Sequence, residues 1–276
     1  MTNIADSLLG TSSIDRVNYE TGILLNDSDF IAEQTYHRGR LARLAGYLIG
    51  TGTAAGLRVT HAPASEATET EMASEEKLMV EPGLAIDAYG RMIEVPSHQC
   101  MRLNRWYGQQ TSLTLNQGWK AADVAWVGAP AGVVVDITVE FIACQRGKTP
   151  SFAVGPFDSI DAVAAERIRD SAKLNLWVRS EENPPLPENP WPDVSSATDP
   201  AEAMREAIFT AWQEGAPEAG GLGVFLARMV LVAAEPDPGE APLRDESFTV
   251  AINNAVRPFA VSTAALARWL NLNIGG

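Results

Sequence analysis

The sequence predicts an α+β fold, mainly antiparallel β, in which an N-terminal arm and one long helix precede a β-sandwich or barrel-like body. Three observations point to it. One apolar stripe at helical spacing lies near the N-terminus, and most of the remaining apolar residues fall in short alternating runs separated by turn residues. Between Val133 and Ile142, Val133, Val135, Ile137, Val139 and Phe141 alternate with a row carrying Asp136, Thr138 and Glu140, a dry face and a wet one, as an antiparallel sheet allows. No fixed period repeats along the 276 residues, which argues against a solenoid or propeller.

Residues 1–26 carry no strong period and are expected to form an extended arm or short strand that ends in the turn Leu25-Asn26-Asp27. A helix follows over about 28–49. Asn26, Asp27 or Ser28 can cap it, Asp29 and Glu33 lie near its positive end, and Arg38, Arg40 and Arg43 lie toward its negative end. Its stripe Phe30, Gln34, His37, Leu41, Leu44, Leu48 steps by four and three, the spacing of a heptad seam. Such a stripe either packs on its own domain's sheet or builds a helix bundle around a symmetry axis. Gly50, Gly52 and Gly56 stop the helix and lead into a short strand at Leu57-Arg58-Val59, and residues 62–77, rich in Ala, Ser, Thr and Glu, read as an exposed loop.

From Leu78 to Val95 two apolar stretches flank a glycine-containing turn, a hairpin in which Asp87 and Gly90 are turn residues. Beyond the Val133–Ile142 strand, residues 158–170 have a helical face of Ile160, Val163, Ala164 and Ile168, and Leu174, Leu176 and Val178 alternate as a strand. Six prolines between Ser180 and Pro200 rule out a regular element there. A helix over Ala201–Trp212, a glycine-rich hinge over 215–223, strands at Val224–Val232 and Phe248–Ile252, and a short helix near Ala264–Leu270 complete the chain. The expected organisation is an N-terminal arm and helix (1–60), an antiparallel β domain (61–180), a Pro/Gly-rich linker with a short helix (181–221), and a C-terminal β/α segment that packs on the body (222–276).

A formal net charge of −14 repels a phosphate backbone or an anionic membrane surface, so no nucleic-acid partner is expected. No apolar run reaches the roughly 18 residues of a membrane span, and Met1-Thr2-Asn3-Ile4-Ala5-Asp6 lacks the features of a signal peptide. Membrane insertion is therefore not expected, and the chain should remain in the cytoplasm until assembled. Cys100 and Cys144 are expected to be two buried reduced thiols or, alternatively, one bridge.

No chemistry-bearing cluster stands out, and neither a catalytic, a cofactor-binding nor a metal site is expected. His37, His61 and His98 are far apart and supply no HxH or HxxxH pair. The glycines at 50, 52 and 56 follow a helix instead of joining a strand to one, the wrong context for cradling phosphate. Asp87, Asp136 and Glu140 are the carboxylates that could pair for acid/base work, with nothing to mark separated environments. Trp106, Tyr107, Trp119 and Trp126 cluster in sequence and could stack on sugars, although aromatics more often fill cores.

The order of the pieces resembles a known family. Val17 to His37, running through Tyr19, Gly22, Leu24-Leu25, Asp29-Phe30, Glu33-Gln34 and Tyr36, has the form Y-x-x-G-x-L-L-x-x-x-D-F-x-x-E-Q-x-Y, and it continues to Gly50-Thr51-Gly52 and Gly56-Leu57-Arg58-Val59. Val80-Glu81-Pro82-Gly83-Leu84-Ala85-Ile86-Asp87 through Gly90-Arg91 has the form V-x-P-G-x-A-I-D-x-x-G-R. Both patterns are similar to the N-terminal region of proteins found with phage tails and contractile injection systems. The matching residues are turn, cap and packing types, so the resemblance implies a shared framework and not a reaction. It implies a structural component of a virion or phage-tail-like particle, a baseplate protein or tail-fibre adaptor with other tail or baseplate proteins as partners. A carbohydrate- or receptor-binding β module at a tail fibre is the alternative. Homo-oligomerisation is expected, with Phe30, Gln34, His37, Leu41, Leu44 and Leu48 as the oligomer or partner contacts.

Overall fold

The computed structural model describes residues 3–9, 14–67, 72–150, 163–187, 193–211 and 223–270. Its centre is the 15-residue strand β9 (Gly132–Arg146), which other strands flank on both edges. Along one edge runs β12 (Arg167–Val178), in register from Arg167 opposite Arg146 to Val178 opposite Val135, followed by β8 (Trp119–Lys120). Along the other run β13 (Gly223–Val232) and, beyond it, β1 (Asn3–Ile4) opposite Cys144 and Ala143. β14 (Ala251–Asn253) pairs with β13, and all these pairings are antiparallel. Two three-stranded antiparallel sheets form a second layer. One is β2 (Gly52–Gly56), β5 (Gly83–Ile86) and β6 (Met92–Val95); the other is β3 (Val59–Ala62), β4 (Lys77–Val80) and β7 (Gln99–Arg102).

One core lies between the layers. Val133, Val135, Ile137, Val139 and Phe141 on β9, with Val224, Leu226, Ala227, Met229 and Leu231 on β13, face Leu57, Val59, Leu78, Val80, Ala85, Ile93 and Val95 from the small sheets. The arrangement is the α+β, antiparallel, sandwich-like body that the alternation implied. The other face of β9 is not wet at its start. Val134 and Val230 pack there with Ala125, Ala129, Trp126 and Ala251, so residues 132–137 are buried without a break. Two faces covered by protein erase the alternation that a half-exposed strand would show.

Several expectations are corrected. The segment after the helix does more than end it: Gly52–Gly56 is β2, and the strand expected at Leu57–Val59 begins only at Val59, because Leu57 takes a left-handed conformation (φ 57°). The 78–95 hairpin is β5–β6, while β4 turns away to pair with β3 and β7. The helix expected over 158–170 is overturned for 163–170, where β11 (Val163–Ala164), paired with β10 (Thr149–Pro150), and the start of β12 are strand; residues 158–162 lie outside the described residues. There the twelve-residue ladder with β9 outweighs a local helical spacing. The remaining elements fall close to their expected places: α1 (Asp27–Leu48), α4 (Pro200–Thr210), β13 and α5 (Thr263–Trp269), with α2 (Leu103–Tyr107) and α3 (Ser112–Gly118) added between β7 and β8. The 215–222 part of the expected hinge lies outside the described residues.

Candidate interaction surface

α1 begins at a capping box. Asn26 Oδ1 accepts from the Asp29 amide at 3.1 Å while Asp29 Oδ2 accepts from the Asn26 amide at 2.9 Å, which satisfies two otherwise orphaned donors. The helix ends at Gly50, whose φ of 88° no other residue type adopts readily.

One face of α1 is fastened to the body through small residues and buried charge. Ala42 is buried, and Gly90 of the β5–β6 turn lies against its backbone. Arg38 pairs with Asp6 at 3.0 Å, Asp6 pairs with Arg91 at 3.1 Å, and Arg91 Nε donates to Asp87 at 2.7 Å. Asp6, Asp87 and Arg91 are all buried, and the Arg91 guanidinium also lies over the Phe141 ring at 4.6 Å. The two carboxylates sharing Arg91 move in opposite directions. Burial pushes Asp6 up, but the Leu8 amide, Arg38 and Arg91 outweigh it and hold the group below its ordinary value. For Asp87, burial wins over Arg91 and two backbone amides, and its value is raised.

The opposite face of α1 carries the heptad stripe, and all six of its residues are exposed to solvent. Leu41 is 64% and Leu48 69% exposed; Phe30 and Leu44 are also more than half exposed. Ile31, Tyr47 and Ile49 widen the apolar surface, and the preceding segment adds Ile14, Tyr19, Ile23 and Leu24, the last 95% exposed. Packing of the stripe on the chain's own sheet, one of the two readings of its spacing, is therefore overturned. Gly39, Ala42 and Gly46 sit on the reverse face, and a helix approaches a sheet layer most closely on its smallest residues. His37 Nε2 lies 2.9 Å from Glu33 one turn earlier. At the helix's far end an open cleft of about 770 Å³ separates Gly46, Tyr47 and Gly50 from Ala203 and Ala207 of α4 and Ala211 just past its end.

The residues considered for chemistry are occupied by structural roles. Asp136 is buried, not on a wet face. It receives a two-pronged contact from Arg228 (Nε 2.7 Å, Nη2 3.0 Å) and a third from Arg179 at 3.1 Å. Arg228, fully buried, also donates to the carbonyls of Pro184 and Pro185, both at 2.8 Å, which holds the start of the proline-rich stretch against β13. Glu140 accepts from Asn175 at 3.1 Å. His61 lies on β3, and with Glu76 at 2.7 Å and Arg244 it forms a buried cluster in which Arg244 also reaches Asn104. Burial pushes Glu76 up, but hydrogen bonds from Arg244 and His61 prevail and its value is lowered. Among the described residues no three His, Cys, Asp or Glu side chains come together to hold a metal ion, and no helix is long and apolar enough to cross a membrane.

The four clustered aromatics are half-buried, with Tyr107 Oη donating to Pro242 O at 2.7 Å and Trp119 Nε1 to Ala233 O at 3.0 Å. They are packed against the body instead of forming an open stacking platform. Cys100 is exposed and Cys144 is buried, and both are free; the expected pair of buried thiols is half right, and no bridge joins them. Cys100 escapes burial because it lies on the outward row of β7 with Arg102, while Gln99 and Met101 form the more covered row.

No protein-family model matches the chain and no curated protein matches its sequence. Among solved structures it is similar to a chain of the type VI secretion system TssK-TssF-TssG baseplate subcomplex, at TM-score 0.32 and 11% identity, over 86% of this chain and 62% of that one. It is also similar to a chain of the baseplate complex from the type VI secretion system, at TM-score 0.29 and 12% identity, over 84% and 58%. The chain thus spans about six tenths of the length of the chains it matches.

Proposed function

We propose that this protein is a non-enzymatic structural part of a contractile injection or phage-tail-like particle, a baseplate component or fibre adaptor. It works by packing against copies of itself and against other tail or baseplate proteins. The observation that carries the reading is the orientation of α1: its small-residue face is bolted to the body by Arg38, Asp6 and Arg91, and its entire heptad seam faces solvent. Exposed leucines that adjoin one another at 41, 44 and 48, with Phe30 beyond the polar pair Gln34 and His37, mark a surface meant to be covered. The motif residues between 17 and 96 support it too, since in the structure they act as cap (Asn26, Asp29), turn (Asp87, Gly90) and tie (Arg91). Of the three carboxylates considered for acid/base work, Asp87 and Asp136 are bound to arginines and Glu140 accepts from Asn175.

The test is Leu41→Asp with Leu44→Asp. Both positions are exposed, so the unfolding free energy should stay within about 1 kcal/mol of wild type. Self-association by sedimentation, and co-purification with co-expressed tail or baseplate proteins, should weaken at least ~10-fold, since each leucine loses about 1.5–3 kcal/mol of burial. A double variant that assembles as well as wild type would sink the proposal.

A further inference from the structure

We infer that the occupant of the exposed α1 seam is the α1 of a second copy, lying antiparallel across a two-fold axis that passes between Thr35 and Tyr36. The inference rests on the reading of α1 as a contact helix and specifies its partner and register.

Three features of the helix decide it. The seam is apolar at Phe30 and at Leu41, Leu44 and Leu48, and its two polar positions, Gln34 and His37, are adjacent. The charges are segregated, with Asp27, Asp29 and Glu33 in the N-terminal half and Arg38, Arg40 and Arg43 in the C-terminal half. All six seam residues are exposed, so nothing in the chain's own described residues covers them.

A parallel pair or ring would set like charges side by side along the whole helix and stack His37 on His37. Its one favourable flanking contact, Glu33 with Arg38, would draw on a guanidinium already held by the buried Asp6 at 3.0 Å. An antiparallel pair places the acidic half of each helix beside the basic half of the other.

Two antiparallel registers keep the seam inward. Full overlap sets Phe30 opposite Leu48, but it also sets Gln34 opposite Leu44, His37 opposite Leu41, and Arg40 beside Arg40. Two polar side chains then face leucine, and two like charges meet. A shift of one heptad sets Phe30 opposite Leu41 and Gln34 opposite His37, so that the polar groups bury against each other with a donor and an acceptor available. Glu33 then flanks Arg40 on both sides of the axis, at the positions that set orientation in paired helices. Leu44 and Leu48 extend past the start of the partner's helix, where Ile23 and Leu24 are exposed. Flanking pairs at a surface contribute little to affinity, but reversing them penalises the wrong arrangement, which fixes register.

The experiment uses the full chain carrying Cys100→Ser, since Cys100 is the exposed thiol and Cys144 is buried. Phe30→Cys, Leu41→Cys and Leu48→Cys are made singly and oxidised alone and mixed in pairs, with urea midpoints to confirm folding. The expected result is a cross-linked dimer only in the mixture, joined between 30 and 41 by peptide mass. Self-cross-linking of Phe30→Cys would overturn the antiparallel arrangement, and cross-linking only between Phe30→Cys and Leu48→Cys would overturn the register. A chain that is monomeric and never cross-links, yet still binds other baseplate proteins, overturns the second-copy occupant and leaves the proposed function standing; one that binds neither overturns both. As an independent readout, Arg40→Glu should raise the dimer dissociation constant ~10-fold, and adding Glu33→Arg should restore it. Failure of the double swap to restore association would count against the register.

Discussion

Gly90 lies directly beneath Ala42: a Cβ built at Gly90 would sit 1.8 Å from the Ala42 carbonyl oxygen, and Gly90 itself has a φ of 77°. The β5–β6 turn therefore touches α1 backbone to backbone, and this contact determines how close the helix lies and which face it turns outward.

Gly90→Ala should accordingly be costly at a position where the sequence alone suggests only a turn. A left-handed non-glycine residue and the overlap with α1 each cost about 1–3 kcal/mol, so urea denaturation should show a loss of roughly 2–6 kcal/mol. A loss under 1 kcal/mol would mean that the helix can ride outward freely.

Asp136→Ala leaves the fully buried Arg228 guanidinium without its counter-charge, and a loss of about 3–5 kcal/mol in unfolding free energy is expected. Replacing both partners by apolar residues of similar volume, Asp136→Leu with Arg228→Met, should recover much of that loss. The same denaturation experiment decides, with the double variant more stable than Asp136→Ala as the expected order.

Glu76 gives the fold a dependence on pH with a defined sign. Its folded value lies below the ordinary 4.5, so its contribution is fully present above pH 4.5 and is lost as the pH falls through the folded value. Glu76→Gln should lose about 3 kcal/mol near neutrality and show a flatter stability profile than wild type below pH about 4.5. Asp87 acts in the opposite sense: its raised value means that ionising it in the folded state costs stability as the pH rises above 3.8, so Asp87→Asn should not reproduce the Glu76→Gln profile. Urea midpoints measured from neutral to acid pH separate the two.

The thiols should react unequally. Cys100 should be modified by a maleimide in the native protein, whereas Cys144, buried and donating to Asn3 Oδ1 at 3.3 Å, should react only after unfolding. Equal reaction rates in native conditions would show that β1 does not stay paired with β9.

The parts of this fold that could be read from the sequence are those set by local chemistry. Asn26 and Asp29 announce a helix start regardless of what lies nearby, and the alternation from Val133 to Phe141 identifies the central strand and its inner face. The parts that could not be read depend on what arrives from elsewhere. Asp136 looks like a wet-face residue until Arg228, 92 positions later, is laid beside it and the Pro184-Pro185 segment closes over the pair. Ile168 fits a helical face as well as a strand, and only pairing with Gln145 decides. The His61, Glu76 and Arg244 cluster draws on three separated stretches. For the candidate surface, the seam residues were visible but their direction was not, because a heptad stripe does not say what covers it. The signal that could have settled the direction is Gly39, Ala42 and Gly46 on the reverse face, small enough for a backbone to approach.

The Asp6 carboxylate changes how the front of the chain can be studied. Removing residues 1–26 to test whether they bind a partner would also strip two arginines, at 38 and 91, of their shared counter-ion and delete the strand that covers one end of β9. A shortened protein that fails to assemble would then be reporting damage to its own interior, and only point changes outside residues 3–9 can separate recognition from integrity.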